Sequence, residues 1–207
     1  MFQHTSQRSF LNRWKVGSHV YRIGKASRAV KTFQSANHLP GFGAEDWQSL
    51  EMERCFSDVE KVVGYTEHKG EILDSKKIQI LARWLALHFV RSRRHREVAL
   101  SNGRDYRSAV DLVEETILGY HGFFADFTGP VFITGDNPVA LMGTPRPGTP
   151  EWFVAPLSPT RCIYVMEKNE LPSEPGFHGL RPTTINQLIL NAATECCLSF
   201  DRSLHLP

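Results

Sequence analysis

The chain has 207 residues, 41% of them apolar and 22% charged, with a formal net charge of +2; that is the profile of one globular domain with a sizeable core, and it gives no global push toward nucleic acid or a membrane surface. The apolar runs fall well short of the ~20 residues of a membrane helix, and the opening MFQHTSQRSF, with no apolar segment behind its charges, does not read as a signal peptide. The four cysteines, Cys55, Cys162, Cys196 and Cys197, have neither the CxxC spacing of a zinc site nor the pattern of a disulfide framework, so a reducing cytoplasm is the expected compartment.

In chain order, residues 1–44 read as a polar arm with one short strand at HVYRI, 19–23, and a loop at NHLPGFG. AEDWQSLEMERCFSDVEKVVG is an amphipathic helix whose apolar face carries Trp47, Cys55, Phe56, Val59, Val62 and Val63. From Ser75 a helix of about 25 residues is expected, uninterrupted by Gly or Pro. Its first half is apolar nearly all round, which predicts a central element with Leu81, Trp84 and Leu85 buried. Its second half turns basic. YRSAVDLVEETILGYH is a third helix, and GFFADFTGP reads as a turn. After Pro130 the segments VFIT, WFVAPL and CIYVM are short and β-branched or aromatic, separated by turn formers, as in an antiparallel sheet. TTINQLILNAATECC is a last helix capped by Thr183 or Thr184, and LSFD a final strand. Helices first and strands later predict an α+β fold: a single domain with an arm (1–44), a helical part (45–122) around the long helix, and a strand-rich part (130–207) holding a small sheet and the C-terminal helix.

Five motifs in this order resemble the uncharacterised family catalogued as domain of unknown function 4238. QHTSQRSFLNRW is similar to the family's His-His-x-x-Pro-Arg-x-x-Leu-x-x-Phe opening at His4, Arg8, Leu11 and Trp14, with Gln3 and Gln7 as departures. ERCFSDVE resembles its paired glutamates at Glu53 and Glu60, and LHFVRSRRHRE its Gln-x-x-Arg helix, with His88 in the Gln position and Arg91 matching. FITGDNPV resembles Phe-x-Thr-Ser-Asp-x-Pro-Val, with Gly135 for Ser, and APLSP its Pro-Leu-Ser-Pro. The family has no established activity, so the resemblance implies positions and not a chemistry.

Each group of polar residues has a plain reading and a functional one. Glu53 and Glu60 share a helix face two turns apart, which suits a solvated face; if that face packs instead, the carboxylates need cationic partners. His88, Arg91 and His95 fall at i, i+3 and i+7. They are either the end of a helix emerging into water or a polar seam, with Arg91 gripping a phosphate or carboxylate and a His as acid/base. Asp136, after an apolar strand and before Asn137-Pro138, either caps a turn or is delivered into a pocket by the rigid strand end. RSRRHR has the charge for phosphates, although it lacks interleaved aromatics. Arg83 and His88 also match the Arg-x4-His spacing of the helical RNase superfamily that pairs higher-eukaryote and prokaryote nucleotide-binding domains; the predicted strands do not belong to that fold.

Two classes of function follow. The first is a hydrolase or phosphoryl-transfer enzyme, including a metal-dependent nuclease, acting on a nucleotide or nucleic acid: His4, Glu53, Glu60, His88 and Asp136 would carry the chemistry, and Arg8, Arg91, His95 and Asn137 would bind substrate, with Mg²⁺ as the cation such carboxylates suit. The second is a non-catalytic binding or regulatory protein, of a defence or toxin–antitoxin type, whose basic helix end meets an acidic partner. No membrane partner is expected, and the spacing leaves metal dependence and oligomeric state open.

Overall fold

The computed structural model describes residues 13–17, 19–27, 29–33, 51, 54–55, 58–63, 73–90, 101, 103, 105–142, 152–167, 181–193 and 196–201. Its elements are β1 (Val20–Gly24), β2 (Val30–Phe33), α1 (Ser75–Val90), α2 (Tyr106–Leu118), β3 (His121–Asp126), β4 (Ile133–Gly135), β5 (Ala140–Met142), β6 (Trp152–Ser158), β7 (Arg161–Met166), α3 (Pro182–Ala192) and β8 (Cys196–Ser199). Residues 51, 54–55 and 58–63 are also helical. The fold is α+β, as the texture of the sequence predicts. The strands form two antiparallel four-stranded sheets, β2-β1-β8-β4 and β3-β7-β6-β5. The strand read in the arm thus joins the C-terminal strands rather than standing apart: β1 pairs with β8, Tyr21 opposite Ser199 and Ile23 opposite Cys197.

Local chemistry starts each helix. Asp74 accepts from the Lys77 N–H at 2.8 Å and Asp105 from the Ser108 N–H at 3.0 Å, so each carboxylate satisfies an otherwise orphaned donor of the first turn. α3 starts differently from the expected Thr cap. Arg181 stands at the N-cap without a side-chain bond, and Pro182 opens the helix with a preset φ and no N–H to satisfy. The α3 helix ends at Ala192, not at the cysteines, and Lys25 donates to the carbonyls of Asn191 and Ala193 at its end. Cys196 and Cys197 lie in β8.

The helix α1 packs on α2 and on the second sheet. Leu81, Trp84 and Leu85 are wholly buried, as expected, and Val59, Val62 and Val63 are buried too; Trp47 and Phe56 lie outside the described residues, as do residues 91–100, the basic half expected to extend α1. A further expectation is overturned. GFFADFTGP begins not as a turn but as β3, paired with β7 along its length. Its glycine serves close approach: a Cβ on Gly122 would come within 2.6 Å of Ile78 Cδ1 and 3.2 Å of Leu73 Cδ1. Phe123 then stacks on Tyr164, ring centroids 5.1 Å apart.

Candidate functional site

The GDNP stretch links the two sheets. β4 belongs to the first and β5 to the second, so Asp136 to Val139 is the crossing between them. Loops usually run over the surface, but every residue from Phe132 to Ala140 is buried, Asp136 and Asn137 included. Pro138 donates no N–H, which reduces what a buried crossing must satisfy.

Asn137 secures this crossing to α1. With its carboxamide turned so that both ends are satisfied, its nitrogen donates to the His88 carbonyl at 2.9 Å and to the Val139 carbonyl at 3.3 Å. His88 is 2% exposed, and its ring meets that of Trp84 edge-on with centroids 4.5 Å apart. Tyr106 of α2 donates to the neighbouring carbonyl of Leu87 at 3.3 Å. The last turn of α1 is therefore gripped from two sides, through the backbone carbonyls of Leu87 and His88. Of the expected site residues, the structure brings His88 and Asn137 into contact, with Asp136 adjoining in the chain. His4, Arg8, Glu53, Arg91 and His95 lie outside the described residues. Asn137, expected to bind substrate, has its carboxamide nitrogen committed to holding the loop.

Glu60 has a cationic neighbour in Arg13. Its carboxylate stands 3.9 Å from the Arg13 guanidinium, and 44% of its side chain is exposed. Burial is the main cause holding the Arg13 pKa below its ordinary value; Glu60 opposes the shift and Arg161 adds to it. One turn on, Arg161 donates to the Val63 carbonyl, holds Asp126 through two N–H···O bonds of 2.5 and 3.0 Å, and lies over the Phe124 ring. This cluster ties the helical residues 58–63 to the β3–β7 pair.

Arg83 is bound by three carboxylates: Asp111 at 2.6 Å, Glu114 at 2.7 Å and Glu51 at 3.4 Å. Burial works against its charge, but the bonds from Asp111 and Glu114 more than offset this and raise its pKa. Five residues along a helix is a rotation of about 140°, so Arg83 and His88 do not share a face. Arg83 is held by its carboxylates while His88 is buried at 2% exposure.

Among the described residues, no three His, Cys, Asp or Glu side chains gather as a metal-binding set, so no step through a metal is drawn from them. Thr134 was not anticipated: its hydroxyl is fully buried, two residues before Asp136, without a hydrogen-bond partner among the described residues. The only signal in the sequence was a hydroxyl residue ending an otherwise apolar strand. Among the described residues, no helix is long and apolar enough to cross a membrane. No protein-family model, curated protein or solved structure matches the chain.

Proposed function

We propose that this chain is a hydrolase or phosphoryl-transfer enzyme acting on a nucleotide or nucleic acid, with Asp136 and His88 at the centre of its site. The observation that carries this reading is the 2.9 Å bond between the Asn137 carboxamide and the His88 carbonyl, which locks an acidic crossing loop against an imidazole-bearing turn in the interior. Charge acts more strongly where water is excluded, and a carboxylate beside an imidazole is a common acid/base pair. In this reading Asp136 accepts a proton from the attacking water, His88 supplies one to the leaving oxygen, and Arg91 binds the phosphate. Glu53, His4 and Arg8 are candidates through the resemblance to the domain of unknown function 4238 family, whose divergent member we take this chain to be on its five ordered motifs, and His95 is one through its i+7 spacing from His88. A reducing cytoplasm as its compartment is supported by the free thiols of Cys55 and Cys162.

The test is a panel of nucleotides, single-stranded and duplex nucleic acids and simple phosphate esters, with and without Mg²⁺, run on the wild type and Asp136→Asn. Asn keeps the shape and removes the charge, so activity should drop about 10²–10⁴-fold, the usual contribution of a general base, with the melting curve little moved. A fully active Asp136→Asn reduces Asp136 to a turn residue. A second reading, a non-catalytic binding or regulatory protein, draws on the closure of the site, with His88 at 2% and Asn137 at 3% exposure. It is favoured if the wild type turns over nothing in the panel yet is retained by an acidic partner.

A further inference from the structure

Thr134 Oγ1 is a hydroxyl in the core with no protein partner among the described residues. Such a group destabilises the fold unless something satisfies it, and Val would fill the same space while being an equally good strand former. Its neighbourhood gives the choice a reason. Asp136 lies one residue past the end of β4 at Gly135, so the Cα atoms of Thr134 and Asp136 are about 6–7 Å apart across that extended residue. Two O–H···O bonds of about 2.7–2.8 Å meeting at one oxygen span most of that gap. Buried waters are found where polar groups converge in this way. Asp136, at 9% exposure, is the most accessible of the buried polar residues Thr134, Asp136, Asn137 and His88, and so gives the pair its access to solvent.

We propose that Thr134 and Asp136 hold a water between them, and that this is the water consumed in hydrolysis; the second half rests on the function proposed above. As the water oxygen bonds to phosphorus, Asp136 takes one of its protons. The bond from phosphorus to the leaving oxygen breaks, and that oxygen takes a proton from His88. Proton return from Asp136 to His88 through solvent restores both groups. Thr134 is a positioning residue: it holds the nucleophile in line and transfers no proton.

Thr134→Val and Thr134→Ser separate the parts. If a water is held, Thr134→Val lowers the melting temperature by about 2–4 °C, the shift for one lost hydrogen bond in a chain of this size, while Thr134→Ser stays near the wild type. A crystal structure of the wild type then shows density within hydrogen-bond reach of both oxygens. A Thr134→Val melting temperature equal to or above the wild type, with a dry hydroxyl in the crystal, overturns the water site. In hydrolysis, Thr134→Val should lose roughly tenfold to a hundredfold in kcat at unchanged KM, as expected for a displaced nucleophile, with Thr134→Ser recovering most of it. An ordered water with unchanged kcat overturns its catalytic role. A wild type that hydrolyses nothing sinks the enzymatic reading instead, and the melting and crystal results alone then decide the water site.

Discussion

Asn186 does for β4 what a further strand would do. Its Oδ1 accepts from the Ile133 N–H at 3.0 Å and its Nδ2 donates to the Val131 carbonyl at 2.8 Å, so one buried side chain satisfies both backbone groups at the open edge of the sheet. Asn186→Ala should cost about 2–3 kcal/mol, because a buried donor and a buried acceptor are left unmade; urea denaturation would measure it, and a loss below about 0.5 kcal/mol would mean that water replaces the side chain. Cys55 gives a pH signature at the same scale. Burial, with Glu51 adding to it, pushes its thiol from 9.0 to about 11. The folded state therefore favours the protonated thiol. Stability from this group is fully present below about pH 9 and is lost as pH rises toward about 11. Melting temperatures across that window should fall less steeply in Cys55→Ser than in the wild type; identical slopes would exclude the effect.

Between elements, β3 fits closely against α1. The 2.6 Å that a Gly122 Cβ would leave to Ile78 Cδ1 is an overlap that one methyl group creates. Gly122→Ala should therefore cost about 1–3 kcal/mol by overpacking, and Ile78→Val, which deletes that methyl, should recover part of it. A double-mutant cycle with no coupling between the two positions would show that the strand, not the side chain, gives way. The same contact explains why GFFAD is misleading in the sequence. Gly-Phe-Phe reads as a turn by composition, yet the glycine is the absence of a side chain where a helix crosses. α1 carries no such ambiguity. Leu81, Leu85 and Trp84 recur at helical spacing, and all three are wholly buried.

At the scale of the molecule, β8 is the closing element: it lies between β1, from residues 20–24, and β4, from residues 133–135. Without it the first sheet separates into an isolated β1–β2 hairpin, which is marginal in water, and a β4 whose pairing partner is gone. Deleting residues 196–207 should abolish the cooperative transition seen by circular dichroism, and a truncated chain that still melts sharply would contradict this account of the sheet. Because β1 must wait for β8 across some 170 residues of chain, the pairing is of very high sequence separation, the kind that slows folding.

What the sequence determined by itself is what depends on near neighbours. Helical spacing identified α1 and α2, aromatic and β-branched runs identified β1, β6 and β7, and the order of textures gave α+β. The GDNP loop could be singled out because a carboxylate and an imide follow an apolar strand. β2 and β5 were missed, since four- and three-residue strands carry too little periodicity to read. Only the tertiary structure decided that β1 pairs with β8, that the GDNP loop crosses between two sheets, that it is fastened by Asn137 to the carbonyl of His88, and that Glu60 turns to Arg13. These are pairings between segments distant in the chain. Backbone hydrogen bonds and buried charges are satisfied by whatever partner the packing brings near, and local sequence does not record which partner that is.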